Sequence, residues 1–263
     1  MAFNENPKTI LITGASSGIG EYTAYEAAKN GHQLILCARR QELLKKVKKA
    51  CEKYGAKKVH VYPFDIANPK SIDQLMDWLT VNHISVDILV NNAGFGHSEP
   101  FAEVDFQMVQ SLFKVNVLGL MYLTQGIVLR MLDEGKGQII NIASLAGKVS
   151  TPNYAVYGAT KGAIISFSNA LRMELKPFDI QVTTVNFGPV NTPFFDQIER
   201  NRREASANTA FTLSVQKAAK TVYGAIGTKK RELNRPILLA IGAKLYQFIP
   251  SVGDYILVNY FRD

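Results

Sequence analysis

The 263 residues carry 47% hydrophobic and 20% charged side chains with a formal net charge of +8, the balance of a folded globular chain and not of a disordered or collagen-like one. Two cysteines, Cys37 and Cys51, are too few for a disulfide framework, and the four histidines form no ligand set, so neither a disulfide scaffold nor a metal site is expected. The positive charge concentrates in KKVKKACEKYGAKK (45–58), where lysines alternate with Leu44, Val47, Ala50 and Cys51 at helical spacing; this reads as a solvated helix face, and no nucleic-acid-binding motif accompanies it.

The start, MAFNENPKTILITG, has no basic stretch followed by an apolar one, so no secretory signal is expected. No run of about 18 apolar residues occurs, so no transmembrane segment is expected, and a reduced, cytoplasmic setting fits. Strand candidates follow in order: KTILIT (8–13), QLILCA (33–38), KVHVYPF (58–64), DILVNNA (87–93), GQIINIAS (137–144) and IQVTTVN (180–186). Several are almost continuously apolar, as strands buried on both faces of a parallel sheet must be. Helical patterns lie between them, such as EYTAYEAAKNG with Gly31 as its stop and SIDQLMDWLTVN with Ser71 as its cap. This alternation predicts a doubly wound α/β parallel sheet with helices on both faces, in one domain spanning 1–263. A polar substrate flap is expected over about 193–215 and an apolar C-terminal extension over about 236–263, with Pro236 in the first turn of a helix.

Two stretches carry the chemistry. LITGASSGIG places Gly14, Gly18 and Gly20 between the first strand and first helix, where glycine permits close backbone approach and helix N–H groups face a phosphate. After the second strand, LCARR has Ala38 where an acid would hold an adenosine ribose, then Arg39 and Arg40; guanidinium groups bind a 2′-phosphate, so NADP(H) is preferred over NAD(H), which stays as the second choice. Farther on, PNYAVYGATKG offers Tyr154 and Tyr157 as partners for Lys161. Tyr157 and Lys161 form an i,i+4 pair on one helix face, whereas Tyr154 stands two turns, roughly 10 Å, away. A phenol titrates near 10 and a neighbouring ammonium lowers that, so Tyr157 is the candidate acid/base.

Taken together, TGASSGIG, NNAG (91–94), Asn116 in KVNVLG, Ser144 in NIASLAG and YGATK resemble the short-chain dehydrogenase/reductase family, in order from about residue 8 to 192. The resemblance implies about seven strands in the order 3-2-1-4-5-6-7. It implies Tyr157 as acid/base, Ser144 holding the substrate oxygen, Lys161 on the nicotinamide ribose, and Asn116 holding a relay water. Ser16, Ser17 and Ile19 of the glycine-rich turn would join the cofactor site, with Asp65 and Ile66 at the adenine. Asn92, Ala93 and Gly94 would line the cofactor, and Val190 and Thr192 would contact the carboxamide. The implied activity is hydride transfer between NADP(H) and a carbonyl or secondary alcohol of a hydrophobic small molecule, in a homodimer or homotetramer. A non-catalytic cofactor-binding regulator or scaffold is the rival reading. Phe187-Gly188-Pro189 and the apolar tail depart from the family pattern. Walling the substrate pocket or packing between subunits is weighed above membrane contact for that tail, and His97 is expected on a solvent-facing loop.

Overall fold

The computed structural model describes residues 7–192 and 211–260. Seven parallel strands form its sheet: β1 (Thr9–Thr13), β2 (Gln33–Ala38), β3 (Lys58–Pro63), β4 (Ile88–Asn91), β5 (Gly137–Ser144), β6 (Ile180–Phe187) and β7 (Glu232–Arg235). Their order is β3-β2-β1-β4-β5-β6-β7. The six strands read from sequence are all present. The seventh, ELNR, is polar because it closes an edge and is only half-buried, so it lacks the apolar run that marks the central strands.

Helices cover both faces. On one side lie α1 (Gly18–Lys29), α2 (Gln41–Tyr54) and α7 (Val215–Tyr223), which bury Ala24, Ala27, Leu44, Val47, Cys51, Ala218 and Val222 against Ile10, Ile12, Leu34 and Leu36 of the sheet. On the other lie α3 (Pro69–Val81), α5 (Leu120–Glu134) and α6 (Ala155–Leu175), which bury Leu75, Leu79, Leu123, Ile127 and Leu171 against Leu11, Ile35, Leu89 and Ile139. Lys45, Lys46, Lys49 and Lys53 of α2 are exposed and Lys48 is half-buried, while Leu44, Val47 and Cys51 point inward, the arrangement its spacing predicts. Helix α1 closes at Gly31, whose φ of +71° only glycine adopts without strain.

Helix α4 (Phe106–Phe113) runs through a π-helical turn, Lys114–Gly119, directly into α5. The joined Phe106–Glu134 helix is long and apolar enough to cross a bilayer by length and composition, although polar residues interrupt its apolar runs; half of its most apolar 18-residue window is buried inside the fold. Three local readings change. Asn68, not Ser71, caps α3, accepting from the Lys70 N–H at 3.1 Å with Pro69 at the first helical position; Ser71 Oγ instead accepts from the Asp65 N–H. Pro236 stands at the N-cap of α8 (Ile237–Phe248), just outside the first turn. Within the expected flap, Leu213–Ser214 pairs with Val190–Asn191 and Val215 opens α7, so 213–215 are regular structure, while 193–210 lie outside the described residues. The apolar extension folds as α8 followed by α9 (Pro250–Tyr260).

Candidate functional site

The carboxyl ends of the parallel strands all open on one edge of the sheet, and the order reverses direction at β1 and β4, where such folds form a crevice. At that crevice the glycine-rich turn leaves β1 with Gly14 at φ +65° and Gly18 at φ +59°. A Cβ on Gly20 would stand 2.5 Å from both Asn92 Nδ2 and the Gly14 oxygen, so no larger residue fits without shifting the turn. Asn92 fixes this approach: its Nδ2 donates to the carbonyls of Thr13 (2.9 Å) and Gly14 (3.3 Å). The backbone N–H groups of Asn92 and Ala93 donate to Thr13 Oγ1. Thr13 was not singled out from the sequence; its position before Gly14 in TGASSGIG was the available signal.

Ser16 and Ser17 follow, and Arg40 Nη2 donates to both hydroxyls, at 3.1 and 2.8 Å. Arg39 and Arg40 are exposed at the end of β2, with Ile19 packed beneath the turn. Two guanidinium groups, two hydroxyls and the first N–H groups of α1 are a donor set for a phosphate-bearing dinucleotide, and the carboxylate of the first turn, Glu21, accepts from the Tyr25 hydroxyl. Asp65 is turned on its own loop, Oδ1 accepting from the Ala67 N–H at 3.0 Å, and Ile66 is buried against Gly119 of the π-helical turn. Thr192 lies beside Gly18, and Val190 pairs with Leu213.

The other end of the crevice is built on β5 and α6. Ser144 ends β5; its Oγ accepts from the Ala146 N–H and donates to the Phe187 carbonyl, both at 3.1 Å. Tyr157 hydrogen-bonds Ser144, and its ring meets Tyr154 edge to face. Lys161, one turn along α6, places Nζ 5.7 Å from the Tyr157 ring centroid and 3.1 Å from the Ile142 carbonyl, to which it donates. The ammonium was expected to lower the phenol pKa. Burial wins instead: desolvation holds Tyr157 above its ordinary value, against a smaller opposing effect of the Ser144 hydrogen bond. The same burial lowers Lys161 to about 8.

Asn116 sits in the π-helical turn, and its side chain makes three hydrogen bonds. Its Nδ2 donates to the Phe95 carbonyl (2.9 Å) and Thr160 Oγ1 (3.2 Å), while Oδ1 accepts from the Phe95 N–H (3.0 Å). The side chain thus braces the Gly94–Phe95 segment to α6, and both of its amide hydrogens are taken. Gly94 is confined by this brace, a Cβ there falling 3.0 Å from Asn116 Oδ1. Thr160, whose Oγ1 also donates to the Tyr157 carbonyl, is a second residue that sequence reasoning passed over, although it stands inside YGATK. His97 is not solvent-facing: it is 8% exposed and its Nε2 pairs with Glu99 at 2.8 Å.

A parallel doubly wound sheet with a glycine-rich turn, a phosphate-ready donor set and a Ser–Tyr–Lys cluster across one crevice defines the class of dinucleotide-dependent oxidoreductases. Residues 8–203 match the short chain dehydrogenase family, and the chain belongs to it. "11-beta-hydroxysteroid dehydrogenase-like 3" of Arabidopsis thaliana is 34% identical over 94% of this chain and 79% of its own length. The "NADP-dependent 3-hydroxy acid dehydrogenase" of Schizosaccharomyces pombe is 36% identical over 71% of this chain and 73% of its own. L-Sorbose reductase of Gluconobacter frateurii, solved with NADPH and L-sorbose, superposes with a TM-score of 0.80 at 26% identity, covering 89% of this chain and 97% of that one.

Proposed function

We propose that the chain is an NADP(H)-dependent carbonyl reductase or alcohol dehydrogenase acting on a hydrophobic small molecule, with reduction as its favoured direction. The observation that carries this reading is the buried Tyr157, hydrogen-bonded to Ser144, with Lys161 one helical turn behind it. A phenol whose pKa is raised by burial is fully protonated at neutral pH, the form that can give a proton to a carbonyl oxygen. In the proposed step Ser144 and Tyr157 hold the substrate oxygen. As the carbonyl carbon gains hydride, the Tyr157 Oη proton passes to the developing alkoxide. Lys161, which burial lowers to about 8, is suited to return the proton to the phenolate. Asn116 locks the Gly94–Phe95 segment to α6 and would hold the relay water through which Lys161 regains its proton from solvent.

NADPH, when bound, supplies the hydride. Arg39, Arg40, Ser16 and Ser17 would hold its 2′-phosphate, and Gly14, Gly18, Ile19 and Gly20 would give the pyrophosphate its close approach. Asp65 and Ile66 would flank the adenine, Asn92, Ala93 and Gly94 the middle of the cofactor, Lys161 the nicotinamide ribose, and Val190 and Thr192 the carboxamide. The printed names of the yeast relative and of the sorbose reductase support the choice of NADP(H), and that of the plant relative supports an apolar carbonyl or alcohol. Exposed Leu118, Tyr122, Leu129 and Met173 support a homodimer or homotetramer through α6 and the joined α4–α5 helix, and the turn, the catalytic cluster and the tail are read as one functional domain. A regulator or scaffold would have no use for a proton-donating cluster of this kind.

The test is a fluorescence titration of the protein with NADPH and NADH, followed by apolar ketones and aldehydes with the tighter cofactor. Tighter NADPH binding and turnover are expected. Equal or tighter NADH binding would overturn the phosphate argument, and binding without turnover across the panel would favour the scaffold.

A further inference from the structure

Among the described residues, twenty large hydrophobic side chains are exposed, and ten of them fall between Ile237 and Val258. They are arranged, not scattered. Ile237, Leu238, Ile241, Leu245 and Phe248 share one face of α8, while Ala243 on the opposite face is buried. Val252, Tyr255 and Ile256 form a second outward stripe on α9, which folds back so that Gly253 lies on the Tyr246 ring. An amphipathic helix of a globular protein turns its apolar stripe to the core; here both helices turn it away. Patches of this size mark a surface that is covered in use.

The charges indicate what covers it. α8 and α9 carry one cation, Lys244, and one carboxylate, Asp254. Lys244 is exposed at the edge of the α8 stripe, whereas Asp254 Oδ1 accepts from the Tyr246 hydroxyl at 2.7 Å and so faces the neighbouring helix. The chain as a whole is at +8. Apolar stripes without a carboxylate, an edge lysine and a cationic body complement an anionic lipid surface. A second copy would bring like charge to like charge across a two-fold axis. The placement also has a use: Leu239 and Pro236 pack on Gly188, and Leu145, next to Ser144, meets the same glycine. The hairpin therefore borders the site.

We infer that the α8–α9 hairpin docks the protein on an anionic lipid bilayer, with the crevice mouth beside the lipid. This inference does not depend on the reductase reading. The test is flotation of the full chain with phosphatidylcholine vesicles, with and without phosphatidylglycerol, and with the Phe248→Trp variant as a fluorescent reporter. Expected are flotation only with phosphatidylglycerol, weakening as salt rises, and a blue shift of the reporter on adding those vesicles. Leu245→Gln combined with Phe248→Gln and Ile256→Gln, all at exposed positions, should weaken vesicle binding about tenfold or more, and Lys244→Glu should weaken the preference for anionic lipid. Absence of flotation, or equal flotation of parent and variants, would overturn it. So would a blue shift that follows protein concentration without vesicles together with a doubled mass by light scattering, which would assign the hairpin to a second copy. The single substitutions keep the test decisive if the triple variant fails to fold.

Discussion

The two ends of the crevice solve opposite problems. At the glycine-rich end, Arg39 and Arg40 are exposed and act as charges in water, with Arg40 already oriented by Ser16 and Ser17. At the end where we propose the chemistry, Tyr157 and Lys161 are 6% and 5% exposed, and withdrawal from water shifts their titration more than any neighbouring charge does. The first arrangement favours recognition of an anion that arrives from solvent, and salt weakens it. The second favours proton transfer without competition from water. Binding and chemistry are therefore separable here, and substitutions should separate them.

The largest effect is expected at the buried end. Tyr157→Phe removes the proton donor and should lower kcat by about 10²- to 10⁴-fold while leaving NADPH affinity unchanged; loss of cofactor binding in that variant would break the comparison. At the exposed end, Arg40→Ala should weaken NADPH binding by roughly 10- to 100-fold, the worth of a charge-assisted bond, with NADH binding unaffected. Parallel titrations at low and high salt check it, since the difference between parent and variant should narrow as salt rises. The third expectation concerns pH. Lys161 is cationic below its lowered pKa of about 8 and neutral above it. If the cation is needed, kcat/KM for reduction falls as pH rises through about 8, by up to tenfold per unit, and Lys161→Arg moves that limb out of range. A profile that stays flat to pH 10 would show that this ammonium does not control turnover. The smallest change lies outside both ends: Asn68→Ala should cost about 1 kcal/mol through loss of the α3 cap and lower Tm by about 2 to 4 °C, read by calorimetry, with kcat and cofactor affinity intact.

What the sequence disclosed follows the range over which each signal acts. The central strands announce themselves because burial on both faces requires nearly continuous apolar runs, as in QLILCA. ELNR did not, because an edge strand beside solvent is under no such requirement. Tyr157 and Lys161 were legible because helix periodicity is local. Their titration was not, because desolvation comes from the whole enclosing fold and outweighed the pairwise charge effect that spacing suggests. Thr13 and Thr160 were missed for a related reason: each acts by bonding atoms brought near by the fold, Thr13 reaching Asn92 and Ala93, and Thr160 reaching Asn116. His97 was misjudged because nothing local shows that the fold will bury a polar loop residue, although its partner Glu99 stands only two residues along the chain.

The π-helical turn at Lys114–Gly119 amounts to one surplus residue in an otherwise regular helix. Removing a residue there would restore regular winding and leave the downstream phase nearly unchanged, so Leu123, Ile127 and Met131 would still face the sheet. What would be lost is the widened turn itself, from which Asn116 reaches Phe95 and Thr160. The surplus residue is thus a local outward step in a rod whose two ends stay in line. A deletion at this spot should therefore spare the packing of the helix on the sheet and release the Gly94–Phe95 segment.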